Sequence, residues 1–98
     1  MERDEIKTKV ISILSNLFPD PGIDKDVLEC VDLQDDLGMD SITFISIVVE
    51  VEAHFNIEIP DNILLLENFQ TVDAIISVVE TELMKKLESV EVRKNVET

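Results

Sequence analysis

Three segments of this chain place apolar residues at the spacing of an α-helix, and this periodicity limits the fold more than any other feature. They cover residues 4–18, 40–55 and 71–87. In each segment apolar residues recur at steps of three and four, which forms one face of a helix with 3.6 residues per turn. The chain has two glycines and no Asn-Gly hairpin signal. We therefore expect an all-α fold.

A strand is the competing interpretation of the second segment, because Ile and Val favour strands over helices. A strand over residues 42–51 requires alternation with a period of two. Ile45, Ile47, Val48 and Val49 would then fall on both faces of the strand. The helical period fits these residues better.

The first predicted helix ends at Pro19, Pro21 and Gly22, and residues 19–40 follow as a long connection. Connections of this length in compact domains are usually functional or are held by buried side chains. We expect these residues to hold it: Ile23, Val27, Leu28, Val31, Leu33 and Leu37. Residues 57–61 predict an extended link, and Asp61 is expected to cap a brief helix that ends at Leu66. We divide the chain into one small domain, residues 1–87, and a frayed or disordered tail, residues 88–98.

The charge restricts the partners. With 22 acidic and 8 basic residues the formal net charge is −14, which opposes binding to nucleic acid or to an anionic membrane surface. Proteins with basic patches are the expected partners. No stretch approaches the roughly 20 apolar residues of a membrane span, and we recognise no signal-peptide core. From this we expect a cytoplasmic location. Cys30 is the only cysteine, so we expect no disulfide within the chain. We also expect a monomer.

The second predicted helix carries three ridges. One apolar ridge is the expected core face: Phe44, Ile47, Val48, Val51 and Phe55. A polar ridge should meet water: Thr43, Ser46, Glu50 and His54. A second apolar ridge consists of Ile42, Ile45 and Val49, and a surface helix needs only one buried stripe. This second ridge either faces the long loop or forms an exposed patch for a partner.

Ser41 lies where the second helix begins, but the sequence offers it no catalytic base. A serine nucleophile needs a base within hydrogen-bond reach. His54 is the only histidine and lies thirteen residues along the same helix, which places it about 20 Å away. The residues around Ser41 also do not match G-x-S-x-G. We therefore predict no catalytic residue and no enzyme activity.

A calcium loop starting at Asp32 is excluded by its own spacing. Its sixth position would be Leu37 where an EF-hand has Gly, and its twelfth would be Thr43 where it has Glu. His54 has no second ligand at a suitable spacing. We predict no metal site.

Residues 33–42, LQDDLGMDSI, resemble the attachment motif of acyl carrier proteins, commonly written (D/E)-D-L-G-x-D-S-(L/I). Residues 52–60, EAHFNIEIP, are similar to the family's E-x-x-F-x-(I/V)-x-(I/L)-P end of the second helix. Residues 71–75, TVDAI, are similar to its T-(V/P)-x-x-(I/L/A) start of the last helix. Val27 and Leu33 fall where the family plugs its core with loop residues. The resemblance covers residues 5–85 in the right order.

This resemblance implies a four-helix bundle with a long loop between helices 1 and 2 and a short helix 3. It implies that a separate phosphopantetheinyl transferase, using coenzyme A and magnesium, joins a 4′-phosphopantetheine arm to the Ser41 hydroxyl. The arm's thiol would then hold acyl groups as thioesters for loading and processing enzymes. Asp40, which matches the motif aspartate, would help to bind the transferase or its metal. We predict these partner-recognition residues: Asp36, Asp40, Ile42, Ile45, Val49 and Glu52.

The sequence also departs from the family. Carriers of fatty-acid synthases are typically acidic early in the second helix, where this chain has Thr43 and Ser46. We therefore expect a discrete, specialised carrier for a polyketide or a related acyl product, although fatty-acid synthesis stays open. The alternatives are an aminoacyl or peptidyl carrier of a nonribosomal-peptide pathway and an unmodified acidic interaction module.

Overall fold

The computed structural model describes residues 2–18 and 24–97, with side chains as far as Leu87. Its elements are α1 (Arg3–Leu17), α2 (Lys25–Cys30), α3 (Ser41–Phe55), two 3₁₀-helices (Asp61–Ile63 and Leu66–Phe69) and α4 (Val72–Glu97). No strand occurs within the described ranges. The prediction of an all-α fold is confirmed.

The core lies where α1, α3 and α4 meet, with α1 packed on both of the others. The apolar stripes predicted from the sequence supply most of it: Ile6, Val10, Ile13, Leu14, Ile47, Val48, Val51, Phe55, Val72, Ile75, Ile76 and Val79. Phe44 is half-buried and packs edge-on against Phe69, with ring centroids 5.3 Å apart. Burial of these aliphatic side chains is the main force that holds the helices together.

Helix α3 begins and ends where the sequence predicts. The carboxylate of Asp40 caps its start. Asn56 ends it in the left-handed conformation, with φ at 52°, which Asn adopts more readily than most residues. Lys86 of α4 donates to the Asn56 carbonyl oxygen at 2.7 Å. This bond satisfies a carbonyl beyond the last turn of α3 and joins the end of α3 to α4.

The connection after α1 contains a short helix, α2, that the sequence did not predict. The Asp24 carboxylate caps it by accepting from the Val27 amide at 3.0 Å. Six residues are fewer than two turns, so no apolar period could reveal it. Leu28 and Leu33 are fully buried, as predicted, whereas Val31 and Leu37 are half-buried.

Val27 and Ile23 were also expected to hold this connection. Val27 is half-buried. Ile23 lies outside the described residues. Met39 is buried although the sequence did not single it out, and it precedes α3 by two residues, so it holds the loop close to the helix start.

The segment between α3 and α4 differs from the single short helix that the sequence predicted. Residues 57–60 are extended as expected, with Ile57 and Ile59 buried. Asp61 is the first residue of a 3₁₀-helix rather than its cap, and a second 3₁₀-helix follows. A run of four apolar residues, 63–66, cannot lie on one face of one helix. Two separate turns let most of them pack inward while Leu65 stays exposed.

Helix α4 starts behind Thr71, whose hydroxyl accepts from the Ala74 amide at 3.1 Å. The sequence predicted an end near Leu87, but the helix runs to Glu97. No Gly or Pro follows residue 60, so the usual stop signals are missing. A domain division at residue 87 stays a prediction. None of the helices in the described part of the chain is both long and apolar enough to span a membrane.

Candidate functional site

Ser41 is exposed and is the first residue of α3. The preceding residue, Asp40, is extended, and its side-chain Oδ1 accepts from the Thr43 amide at 2.8 Å. Its carbonyl oxygen accepts from the Phe44 amide at 2.9 Å. Asp40 therefore fixes the first turn, and the Ser41 hydroxyl is presented to solvent at the helix N-terminus.

The same hydrogen bonds set the charge of Asp40. Donation from the Thr43 backbone amide, and then from the Thr43 hydroxyl, holds the pKa of the Asp40 carboxyl below its ordinary value. The negative charge also lies at the positive end of the α3 dipole. Ser41 therefore has an ionised carboxylate as its neighbour at neutral pH.

The loop before Asp40 is built from carboxylates that accept backbone amides. Asp32 Oδ1 accepts from the amides of Gln34 and Asp35, both at 2.9 Å. Asp36 Oδ2 accepts in turn from the Asp32 amide at 2.8 Å. The acidic run thus folds the loop on itself, a role that sequence analysis did not assign to it.

Gly38 completes this loop with a φ of 69°. A side chain at this position would meet no atom within 4 Å. The glycine is therefore required by its left-handed backbone rather than by crowding.

The loop is also anchored to the junction before α4. The Leu33 amide donates to the Gln70 carbonyl oxygen at 2.6 Å, and the Met39 amide donates to the Leu33 carbonyl oxygen at 2.9 Å. The Gln70 side chain donates through Nε2 to Gln34 Oε1 at 2.7 Å. Sequence analysis missed Gln34 and Gln70, since no local pattern pairs residues that are 36 positions apart.

The second apolar ridge of α3 is a surface. Ile42, Ile45 and Val49 are 77%, 58% and 56% exposed. This decides between the two alternatives that the sequence left open, because the ridge does not pack under the long loop. The whole stretch 41–49 is uncharged, and it starts at Ser41. We call Ile42, Ile45 and Val49 the α3 ridge.

The other predicted recognition residues, Asp36, Asp40 and Glu52, do not lie together in the structure. Asp36 and Asp40 are exposed in the loop and cap just before Ser41. Glu52 is half-buried, and its Oε2 accepts from the Ile59 amide at 2.9 Å. It lies about 16 Å from Ser41 along α3 at 1.5 Å per residue. Glu52 therefore has an internal role in holding the link after α3.

Among the residues that the structure describes, no histidine lies near Ser41 to act as its base. His54 Nε2 lies 3.4 Å from Glu50 Oε2 on the exposed face of α3, about three and a half turns from Ser41. Within the described residues, no group of three or more His, Cys, Asp or Glu side chains is placed to hold a metal ion. The hydroxyl can act as an acceptor for a group that another protein delivers.

Comparison with known proteins agrees with this geometry. The family described as "Phosphopantetheine attachment site" matches residues 22–79. The acyl carrier protein of Thermotoga maritima is 38% identical over 82 residues, which cover 83% of this chain and 95% of that protein. The chain belongs to the acyl carrier protein family. The acyl carrier protein of Guillardia theta is 40% identical over 63 residues, 63% of this chain and 74% of that protein. The mitochondrial acyl carrier protein of Neurospora crassa is 33% identical over 61 residues, 62% of this chain but 45% of that protein.

Acyl carrier proteins are carriers rather than enzymes, and family membership implies a covalently attached phosphopantetheine arm. The start of α3 fits such an arm in two respects. The exposed Ser41 hydroxyl offers an attachment atom without steric cover, and a helix N-terminus favours a phosphodiester. Asp40 opposes the phosphate charge, so the helix end does not hold the phosphate tightly. An arm fixed covalently at one end and loosely otherwise suits delivery of a cargo.

Proposed function

We propose that the chain is an acyl carrier protein whose 4′-phosphopantetheine arm is attached to Ser41 Oγ. The observation that supports this most directly is an exposed serine at the first position of α3, behind an aspartate cap. The loop of residues 32–40 holds that position through backbone and side-chain bonds on both sides of Gly38. The arm, once attached, supplies a thiol that forms thioesters with acyl groups.

Ser41 is a passive acceptor in this proposal. An O–P bond forms between Ser41 Oγ and the phosphate of the phosphopantetheine part of coenzyme A, and the adenosine bisphosphate part leaves. The proton of Ser41 goes to a base. His54 is too distant to take it, so the phosphopantetheinyl transferase supplies that base. Asp40 is ionised beside Ser41, and in this proposal it would help to bind the transferase or its magnesium ion.

The partners proposed for the loaded carrier are acyl-loading and acyl-processing enzymes. The α3 ridge gives them an apolar surface that starts next to the arm. Asp36 and Asp40 add negative charge beside the N-terminal end of this ridge. A partner groove with an apolar floor and basic side chains on one rim matches both features. Glu52 is half-buried, and its Oε2 accepts from the Ile59 amide. We therefore propose only a minor role for Glu52 in recognition.

A specialised pathway, such as polyketide synthesis, is our proposal for the cargo. The uncharged first half of α3 supports this proposal. Carriers of fatty-acid synthases are typically acidic in the corresponding part of the helix. An aminoacyl carrier would use the same arm and differs only in the enzyme that loads it. Loading assays with acyl and aminoacyl donors separate the two.

We further propose that the protein acts as a monomer in the cytoplasm. Cys30, the only cysteine, can form no disulfide within the chain, as is usual in reducing compartments. The name of the Neurospora crassa relative gives a mitochondrial location for that protein. Fractionation of cells, with a compartment marker for each, decides between the two.

The proposed attachment is tested by incubating the protein with coenzyme A, magnesium and a promiscuous transferase. We expect the intact mass to rise by one phosphopantetheine, and Ser41→Ala to abolish the rise. Ser46→Ala is the matched control, since Ser46 lies on the same helix and donates to the Ile42 carbonyl oxygen. An unchanged wild-type mass with several transferases, or a rise that persists in Ser41→Ala, would contradict the proposal.

A further inference from the structure

The side chains of Gln34 and Gln70 join two parts of the chain that are 36 positions apart in the sequence. Gln34 lies in the turn closed by Asp32, and Gln70 lies between the second 3₁₀-helix and α4. Their amides meet at 2.7 Å on the protein surface. Neither group is needed to satisfy a buried polar atom, because water could replace each partner.

Gln70 is a firm anchor because both of its neighbours in sequence are fixed. Phe69 is fully buried, and Thr71 caps α4 through its hydroxyl. Gln70 contacts the loop twice, through its carbonyl oxygen to the Leu33 amide and through its side chain to Gln34. Two successive loop residues, Leu33 and Gln34, are therefore bound to Gln70 in the junction before α4.

This anchorage reaches Ser41 in one short step. The Met39 amide donates to the carbonyl oxygen of Leu33, the residue that Gln70 binds, and Met39 is buried two residues before Ser41. Gly38, which immediately precedes Met39, donates from its amide to the Gln34 carbonyl oxygen at 3.1 Å. A displacement of Leu33 and Gln34 therefore shifts the residues that carry the helix start.

We propose that the Gln34–Gln70 amide pair is a positioning device for the attachment loop, which keeps Ser41 in the geometry that the transferase recognises. This inference rests on the proposed role of Ser41. The pair acts before the transferase binds, by raising the fraction of molecules whose loop is in the anchored form. A binding-competent fraction below one weakens apparent affinity in proportion.

The kinetic signature follows from that order of events. Loss of the pair raises KM for the carrier in the transferase reaction and leaves kcat unchanged, because a bound loop is ordered by the enzyme. The net strength of one hydrogen bond corresponds to a factor of about 2 to 12 in an equilibrium constant. KM rises in inverse proportion to the anchored fraction, and this fraction falls by no more than the equilibrium constant does. We therefore expect KM to rise about 1.5- to 3-fold in Gln34→Ala and in Gln70→Ala.

Carboxylate substitutions test the bond itself. Gln34→Glu still accepts from Gln70 Nε2, and in Gln70→Glu the Gln34 amide can rotate and donate. Both single variants should keep a KM close to wild type. The double variant Gln34→Glu/Gln70→Glu places two acceptors together without a donor, so its KM should rise well beyond the product of the single effects.

Asn68→Ala is the control for loss of a side-chain amide that does not contact the loop. Asn68 Nδ2 donates to the Ile63 carbonyl oxygen at 3.0 Å, in the neighbouring 3₁₀ segment, and not to the loop. Hydrogen exchange of the Leu33, Gly38 and Met39 amides gives a second readout on the protein before modification. We expect faster exchange at these amides in the two alanine variants and wild-type exchange in Asn68→Ala.

Three results would overturn the inference. They are an unchanged KM in both alanine variants, an equal rise in Asn68→Ala, and a fall in kcat at constant KM. If wild-type protein is modified and one of these results is found, only the amide pair loses its role. If wild-type protein is not modified at all, the proposed function of Ser41 itself is wrong.

Discussion

The residues on the two sides of Ser41 are built on opposite principles. Residues 32–40 are rich in carboxylates that accept amide hydrogens and close the loop on itself. Residues 41–49 carry no charge, although 31% of the chain is charged, and the α3 ridge among them projects into water. In the first region the carboxylates accept from nearby backbone amides, and these bonds fix the position of the Ser41 hydroxyl. The second region leaves an apolar surface unused within the chain, which makes it available to a partner.

The largest expected effect separates the two apolar faces of α3. Ile47 is fully buried and Ile45 is 58% exposed. Ile47→Ala should lower the free energy of unfolding by about 2 to 5 kcal/mol, because it removes core contacts and leaves a cavity. Ile45→Ala should change it by less than about 0.5 kcal/mol. Urea unfolding followed by circular dichroism measures both, and equal losses would show that the ridge is packed.

The loop side is tested next, at Gly38. Gly38→Ala forces an alanine into the left-handed region and should cost about 1 to 2 kcal/mol of stability. Gly38→Asn should cost less, since Asn tolerates this region better. Because no atom lies within 4 Å of an added Cβ, a loss that grew with side-chain size instead would point to crowding and contradict the backbone explanation.

The cap between the two regions has a pH signature. The pKa of Asp40 is lowered in the folded protein, so its ionised form contributes stability above the unfolded value of about 3.9. That contribution is lost as the pH falls through the lowered pKa. Asp40→Ala should lower the free energy of unfolding at neutral pH, because it removes the oxygen that caps α3. Asp40→Asn keeps a capping oxygen and should lose less stability between neutral pH and pH 3 than wild type does, as thermal unfolding at each pH would show.

The smallest effect concerns docking by the α3 ridge. Ile45→Ser should leave the fold intact and raise the KM of a processing enzyme by about 2- to 5-fold, in line with the loss of a partly buried apolar contact. Asp36→Asn should instead reduce the salt dependence of that KM. A ridge substitution that altered only the salt dependence would assign docking to charge and contradict the apolar role.

Local patterns were sufficient for the parts of the fold that repeat. The apolar stripes of α1, α3 and α4 extend over several turns, and the caps at Asp40 and Thr71 lie next to the helices they start. Helix α2 was too short to show a period, and the two 3₁₀-helices arise from a run of apolar residues without one. Element type is therefore predictable where the pattern is longer than about two turns.

The candidate site shows the same division between local and distant information. Ser41, Asp40 and Gly38 belong to one contiguous motif in the sequence. In the structure Ser41 begins α3, Asp40 caps it and Gly38 has a positive φ. The exposure of the α3 ridge could not be decided from sequence, since it depends on where the long loop packs. The bonds from Gln70 to Leu33 and Gln34 depend on tertiary contacts alone.

The uncharged stretch in a protein of net charge −14 has a consequence for the timing of encounters. Long-range attraction between an acidic carrier and a basic enzyme would set how often they meet, and it would weaken as salt is added. A contact at the α3 ridge, where we propose that partners dock, would act only at short range and would set how long a complex lasts. We therefore expect association rates to depend on ionic strength while dissociation rates depend on the ridge. A carrier of this design can change the lifetime of its complexes without losing the speed with which it finds them.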